Sequence, residues 1–429
     1  MEPPAAERGV GMEVYLTSSP GIGGKMRVYP EDFVVEELSL PPEREEGGMY
    51  TAARIRARNW ETNRLVRELS RALGISRTRI AFAGTKDKRG VKVQLFTFRD
   101  SPDRVAAIHL DDVEILECYP TRKGVELGHL LGNRFEIRLR GAGPGELESQ
   151  IAAVTAELAK AGGMPNFFGI QRFGAVRPVT HTVGKRLIRG DFEGAVMAYL
   201  GSPAALENGE VQLARSRLDR ERDFHAAESY FPAHLSFERS LIHHIASNPG
   251  DWIGALRRFP LNLLMMFVHA YQSLLFNRAL SRRISEGLPL NEPLVGDVIL
   301  PLDDHARPDH DHYILVEEHN RSRAAEKVKS GRAFVSGLLF GSDLAYAEGR
   351  MGELERAVVE EEGLARRDFF VTDLPEVSSK GTRRELMVAP GDFSVAQEKD
   401  AAVFKFTLPR GGYATALMRE YMKGEVLDY

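Results

Sequence analysis

Two stretches of strict alternation, far apart in the sequence, constrain this chain more than anything else in it. Phe135, Ile137 and Leu139 alternate with Arg134, Glu136, Arg138 and Arg140, the period of a half-buried strand. The same period returns at Val403 to Leu408, with Phe404, Phe406 and Leu408 on one face, before Pro409-Arg-Gly-Gly412 turns into a helix at Tyr413 to Lys423. Between about Asn166 and Arg384 the pattern is mainly helical. Val183 to Tyr199, Asp223 to Ser247 and Asp251 to Phe259 read as helices, and Pro260 opens the longest, about Leu261 to Ser285. A short strand-rich patch, Asp297 to Val316 and Arg332 to Leu339, lies inside this region. The economical account is one sheet domain made of the first part of the chain and its tail, with the helical region inserted into it.

The first part supports that account. Lys25 to Val28 reads as a short strand, Pro30-Glu-Asp32 as a turn, and Phe33-Val-Val35 as the start of another strand ending in Glu36 and Glu37. Met49 to Arg58 is a strand with arginines on one face. Thr62 to Leu73 is an amphipathic helix, with Leu65, Leu69 and Leu73 inward, Arg64, Arg67 and Arg71 outward, and Gly74 as its stop. Leu127 to Gly132 reads as a loop or short helix, and Glu146 to Lys160 as a helix.

Within this part, Phe82-Ala-Gly-Thr-Lys-Asp-Lys-Arg-Gly-Val-Lys-Val-Gln94 holds one acid, Asp87, among Lys86, Lys88, Arg89 and Lys92. Apolar residues lead in, alternation leads out, and Gly84 and Gly90 bracket a strand–loop–strand turn. Neighbouring cations favour the ionised carboxylate. Two readings stay open for it: a surface acid paired with its lysines, or a nucleophile or base aimed at an anionic substrate.

The net charge is −4, but its distribution is uneven. From Arg54 to Lys92 there are twelve Lys or Arg against three acids, a local +9. That is the footprint of a phosphate-backbone binder, or else a solvated face. Pro165-Asn-Phe-Phe-Gly-Ile-Gln-Arg-Phe-Gly174 places Gln171 and Arg172 among aromatics, a composition that suits unstacked bases as well as core packing. One cysteine, Cys118, allows no intrachain disulfide and no cysteine-based zinc site, and fits a reducing cytoplasm. Met1 to Pro20 has no apolar core and is not read as a signal peptide, and Leu261 to Phe276 is too short and polar to span a bilayer. The run Asp303 to His312 holds metal-ligand types but reads as a polar loop, and the adjacent His243 and His244 lack helical ligand spacing. Nucleotide-binding, serine-hydrolase, zinc-protease and kinase signatures do not occur.

Six segments in order resemble the TruD family of tRNA pseudouridine synthases, its archaeal and eukaryotic branch in particular. They are Lys25 through Pro30-Glu-Asp-Phe-Val-Val-Glu36, Ala83-Gly-Thr-Lys-Asp-Lys88 with Gln94, Gly132-Asn-Arg-Phe135, Asn166-Phe-Phe-Gly-Ile-Gln-Arg-Phe-Gly174, Tyr271-Gln-Ser-Leu-Leu-Phe-Asn277 and Leu408-Pro-Arg-Gly-Gly-Tyr-Ala-Thr415. The resemblance implies an α+β fold: a pseudouridine synthase catalytic domain in permuted order, with a mixed, mainly antiparallel sheet, interrupted by a mainly helical TRUD domain. On that basis residues 1–165 and 385–429 form the catalytic domain and 166–384 the insertion. It implies isomerisation of uridine to pseudouridine, at position 13 of tRNA, without cofactor or metal. Asp87 is then the catalytic aspartate, supported by Lys25, Asn133, Phe135 and Glu36, with Phe135 stacking on the base and Lys25 pairing with Asp87. RNA contacts fall to Arg64, Arg67, Arg71, Lys86, Lys88, Arg89, Lys92, Gln171 and Arg172. The expected partner is tRNA, with other RNA open; the protein is expected to be a cytoplasmic monomer, with no membrane and no obligate protein partner. Two other readings are a non-catalytic tRNA-binding or chaperone protein on the same scaffold and a metal-dependent nuclease built on Asp303 to His312.

Overall fold

A computed structural model describes residues 1–86, 88–126, 130–142, 147–304, 307–398 and 401–429. These form two compact units, one of residues 17–164 with 388–429, the other of residues 1–16 with 165–387.

The first unit is built on a sheet. Its strands in chain order are β1 (Gly23–Lys25), β2 (Phe33–Ser39), β3 (Tyr50–Arg58), β4 (Ile80–Phe82), β5 (Val91–Phe98), β6 (Val113–Thr121) and β7 (Leu130–Ala142), followed by Gly391–Glu398 and Ala401–Pro409. Across the sheet the order runs Gly391–Glu398, Ala401–Pro409, β7, β2, β5, β3, β6, with β1 added to β7 and β4 to β5. Only β2 and β5 pair in parallel; the other pairings are antiparallel. The last strand lies directly against β7, with Phe406 opposite Phe135 and Leu408 opposite Asn133. Tail and first part thus share one sheet, in line with the economical account of the two alternating stretches.

One face is covered on one side by the helix Thr62–Leu73, whose Leu65, Leu69 and Leu73 pack with Ile55, Phe96 and Phe98. The helix ends at Gly74, which takes the left-handed conformation a Cβ would resist. On the other side Tyr421, from the helix Ala414–Met422, packs on Phe404 at 5.0 Å and bonds Thr155 of the helix Leu147–Ala161 at 2.9 Å.

Local readings differ at three places. β1 ends at Lys25 rather than Val28, because Arg27 turns to a positive φ of 56°. Leu130 to Gly132 belongs to β7, not to a loop or helix; residues 127–129 lie outside the described set. Glu146, expected to open a helix, also lies outside it. Gly391–Glu398 is an edge strand that the sequence reading did not identify; its largely exposed residues leave little alternation to detect.

The second unit is mainly helical. The expected helix Val183 to Tyr199 divides into Thr180–Ile188 and Phe192–Leu200 at Gly190, and Asp191 caps the second half by accepting the Gly194 N–H at 2.9 Å. Asp223 to Ser247 divides around Pro232 into Phe224–Tyr230 and Ser236–Ser247. Gly209–Glu221 is a further helix, too rich in charge to show a clear apolar stripe. The long helix Leu261–Ser285 stands as read. Its Asn277 donates to the Val10 and Phe168 carbonyls at 3.0 Å each, and Ser281 donates to the Gly11 carbonyl at 2.7 Å. These bonds draw the first sixteen residues into this unit, whereas the sequence reading had placed them with the sheet. Gly11 is at φ 82°, and a Cβ there would meet the Leu274 carbonyl oxygen at 2.8 Å. A four-stranded sheet completes the unit, in the order Ile314–Leu315, Val298–Pro301, Ala333–Leu339, Thr382–Glu385.

Candidate active site

The site begins with the register of β2. Phe33, Val35 and Glu37 fall opposite Ile137, Phe135 and Asn133 of β7, so these six share one sheet face. Lys92 and Gln94 of β5 continue that face beyond β2. Glu36, the residue between, points to the other face, where it pairs with Arg54 and, at 3.7 Å, with Arg134. Glu36, expected among the supporting residues, thus lies on the face opposite Asn133 and Phe135; Glu37 is the carboxylate on theirs, because side chains alternate and Phe33 and Val35 fix which parity is inside.

Glu37 is buried with Lys86: Nζ lies 3.2 Å from Oε2, and the side chains are 0% and 9% exposed. The other Glu37 oxygen and Asn133 Oδ1 are buried without a hydrogen-bond partner among the described residues. Further ties converge on the segment that carries Asp87. The Lys86 N–H donates to Thr62 Oγ1 at 2.8 Å, and the Gln94 amide donates to the Gly84 carbonyl at 2.9 Å. The Asn59 N–H donates to the Gly90 carbonyl at 2.9 Å. Asp87 itself lies outside the described residues.

Lys25 does not join this group. Its side chain is 69% exposed and its Nζ is 3.6 Å from Asp428. It pairs in register with Arg140, seven residues along β7 from Asn133, roughly 24 Å at the rise of a strand. Arg27 reaches the face that Lys25 does not. It is buried, and its guanidinium sits 4.1 Å from the centroid of the Phe33 ring, which contacts Phe135 edge-on at 6.1 Å. The positive φ at Arg27 redirects the chain after β1, and no periodicity in the sequence signals it. Phe135 is 7% exposed and already stacks on Phe406 at 5.3 Å, so it forms part of the floor of this face. In the turn before β2, burial raises the Asp32 pKa, but bonds from Arg140 and the Tyr29 N–H outweigh it and hold the carboxyl below its usual range. That pairing fixes the turn before β2.

The basic window is less basic in three dimensions. Glu36, Glu114 and Glu37 pair with Arg54, Arg56 and Lys86, and Glu31 and Asp112 both pair with Arg58; all five acids come from outside the window. Lys86 and Lys92, expected as phosphate contacts, are turned away from solvent: the first is held by Glu37 and the second is 2% exposed. Arg67 and Arg71 share Glu68. Arg64, Lys88 and Arg89 are exposed, Arg64 lying over the Trp60 ring at 5.0 Å. Gln171 and Arg172 belong to the helical unit. There Arg172 lies 5.9 Å from the Phe168 ring, and Arg384 covers that ring at 4.1 Å while bonding Asn166 at 2.6 Å. Burial, and then the Arg172 charge, push the His269 imidazole down.

The remaining candidates have structural partners. Asp303 pairs with Arg307, Asp309 with His312, and His310 bonds the Arg383 carbonyl. His305 lies outside the described residues, and among those described no group of three potential ligands gathers. His243 and His244 turn to different acids, Glu228 and Asp251. Burial, then Asp103, raise the Cys118 thiol pKa. No described helix is long and apolar enough to cross a membrane.

Comparison with known proteins agrees along the whole length. The family model described as tRNA pseudouridine synthase D (TruD) matches residues 9–421. A Methanococcoides burtonii protein named "Probable tRNA pseudouridine synthase D" is 41% identical over 99% of this chain and 98% of its own. A Halobacterium salinarum protein of the same name is 41% identical over 97% of each chain. A crystal structure of a Methanosarcina mazei protein assigned to tRNA pseudouridine synthase D superposes with a TM-score of 0.87, at 39% identity and full coverage of both chains. With the α+β fold, the family model and full-length relatives in agreement, the chain belongs to the tRNA pseudouridine synthase D (TruD) family.

Proposed function

We propose that this protein isomerises a uridine of tRNA, uridine 13, to pseudouridine, with Asp87 as the catalytic carboxylate. Family membership from end to end carries the reading, since the relatives are named for this activity on tRNA. The catalytic domain is the sheet unit, and the helical unit is the inserted TRUD domain.

The buried polar face fits the chemistry. The target uridine leaves the stack at a cost of roughly a few kcal/mol. Phe135, backed by Phe406, offers it an apolar floor. Asp87 attacks C1′ of the ribose or C6 of the uracil, or removes the 2′ proton to give a glycal. The N1–C1′ bond breaks, the base turns, C5 bonds to C1′ with release of any bond to the Asp87 carboxylate (on the glycal route C2′ regains its proton), and the C5 proton is lost as N1 gains one. The reaction is an isomerisation, so it consumes no oxidant, reductant or group donor. We assign the steadying of the Asp87 charge to Arg27, which is buried against Phe33, rather than to Lys25, which is exposed beside Asp428. Arg27→Ala is expected to slow single-turnover pseudouridine formation about a hundredfold, and Lys25→Ala by less than about threefold. A larger loss in Lys25→Ala than in Arg27→Ala would return the role to Lys25.

Arg64, Lys88 and Arg89, with Arg172 and Gln171 of the TRUD domain, grip the tRNA backbone, and the protein works as a cytoplasmic monomer. Affinity for tRNA should fall with salt at a log–log slope more negative than about −1. Titration of a fluorescent transcript across salt concentrations checks this; a flat response would remove the phosphate-contact reading.

A further inference from the structure

We infer that Thr62 and Gln94 are positioning residues for the reaction: with Glu37 they form a buried relay that fixes Lys86, and through it the neighbouring Asp87. The inference rests on the reading of Asp87 as the catalytic group.

Thr62 is the first residue of its helix, one past the N-cap position whose side chain satisfies the first helix N–H groups. Here Glu61 does that work, accepting from the Asn63 and Arg64 N–H groups at 2.9 Å each. The Thr62 hydroxyl is thereby released to the loop. It accepts the Lys86 N–H at 2.8 Å, and of the two acceptors within reach of its one proton Gln94 Oε1 at 3.0 Å is nearer than the Lys86 carbonyl at 3.4 Å. A hydroxyl has one proton and can both donate and accept, so these two bonds are compatible. The Gln94 amide, donating to the Gly84 carbonyl at 2.9 Å, fixes which of its ends meets Thr62. Thr62 and Gln94 are buried, and Glu37 closes the relay on the Lys86 ammonium. Lys86 is therefore held at its backbone and at its side-chain tip, from a helix, β5 and β2. The relay touches no substrate atom in this scheme. Its consequence is the placement of the next residue, and a displacement near 1 Å costs roughly a hundredfold in rate.

The test compares Thr62→Val, which keeps the shape and loses the hydroxyl, with Thr62→Ser, which keeps the hydroxyl. For each, single-turnover pseudouridine formation on a tRNA transcript is measured beside the transcript's Kd, the Tm, and amide hydrogen exchange over residues 83–90. Thr62→Val is expected to slow the rate about ten- to hundredfold with Kd within about twofold, and to speed exchange in that segment. Thr62→Ser should restore most of the rate. An unchanged rate or unchanged exchange in Thr62→Val overturns the inference, as does Thr62→Ser being as slow as Thr62→Val, which would assign the effect to packing. A wild type that forms no pseudouridine sinks the functional reading instead, and the exchange comparison still decides the relay.

Discussion

Asp87→Asn is expected to lower pseudouridine formation on an unmodified tRNA transcript by more than about thousandfold, roughly 4 kcal/mol of transition-state stabilisation. Asparagine keeps the size and most of the hydrogen bonding of aspartate but carries no charge, and it is a poor nucleophile and base. Binding of tRNA should persist, because the phosphate contacts come from exposed cations such as Arg64, Lys88 and Arg89. The assay is incubation of transcript with each protein in EDTA, followed by carbodiimide-stop sequencing. Modification by the wild type alone would establish the enzyme and its essential carboxylate, and would dispose of a metal-dependent activity. No modification by either protein, with tRNA still bound, would favour the binding-protein reading. Equal modification by both would place the chemistry on another group.

The second large effect is on stability. Arg283 and Asp297 are buried together in the helical unit, at 0% and 2% side-chain exposure, with two contacts of 2.6 and 2.8 Å. Arg283 also donates to the Pro289 carbonyl at 2.9 and 2.7 Å, and Asp297 accepts the Leu294 N–H at 2.8 Å. Removing one partner strands the other charge in a medium that cannot hydrate it. Arg283→Ala should therefore destabilise this unit by ~3–5 kcal/mol, read by urea unfolding. Arg283→Met with Asp297→Leu removes both charges and should recover part of the loss. Recovery stays partial because the Leu294 N–H and the Pro289 carbonyl lose their partners. A single variant within about 1 kcal/mol of wild type would show that water reaches the pair.

Much of the fold was legible because its determinants are local. Thr62–Leu73 and Leu261–Ser285 follow from apolar spacing with a glycine stop or a proline start, and the structure keeps those bounds. Alternation at Phe135 and at Phe404 marked two strands that turn out to be neighbours. Where a single residue redirects the chain, the pattern failed. Gly190 and Pro232 divide helices whose apolar residues continue on both sides, and periodicity is blind to a break that preserves composition.

Which side chains share the buried face was legible only in part. Glu37 could have been chosen over Glu36 from the spacing of Phe33 and Val35 alone, since period-2 alternation leaves no freedom once the inner face is known. Arg27 could not have been chosen over Lys25 that way. A left-handed arginine has no sequence signature, and only the packing around Phe33 reveals which cation the turn sends inward. The same holds for charge. The sequence determined that cations crowd residues 54–92, while tertiary structure decided how many remain available, by bringing acids from β2, β6 and the turns to their side. Sequence by itself determined most of the elements and the acid between two lysines, because those rest on neighbours in the chain; that the two distant alternating stretches pair in one sheet was decided by the tertiary structure. Which side chains meet, and which charges are cancelled, was decided by strand register and burial, because those join residues that are neighbours only in space.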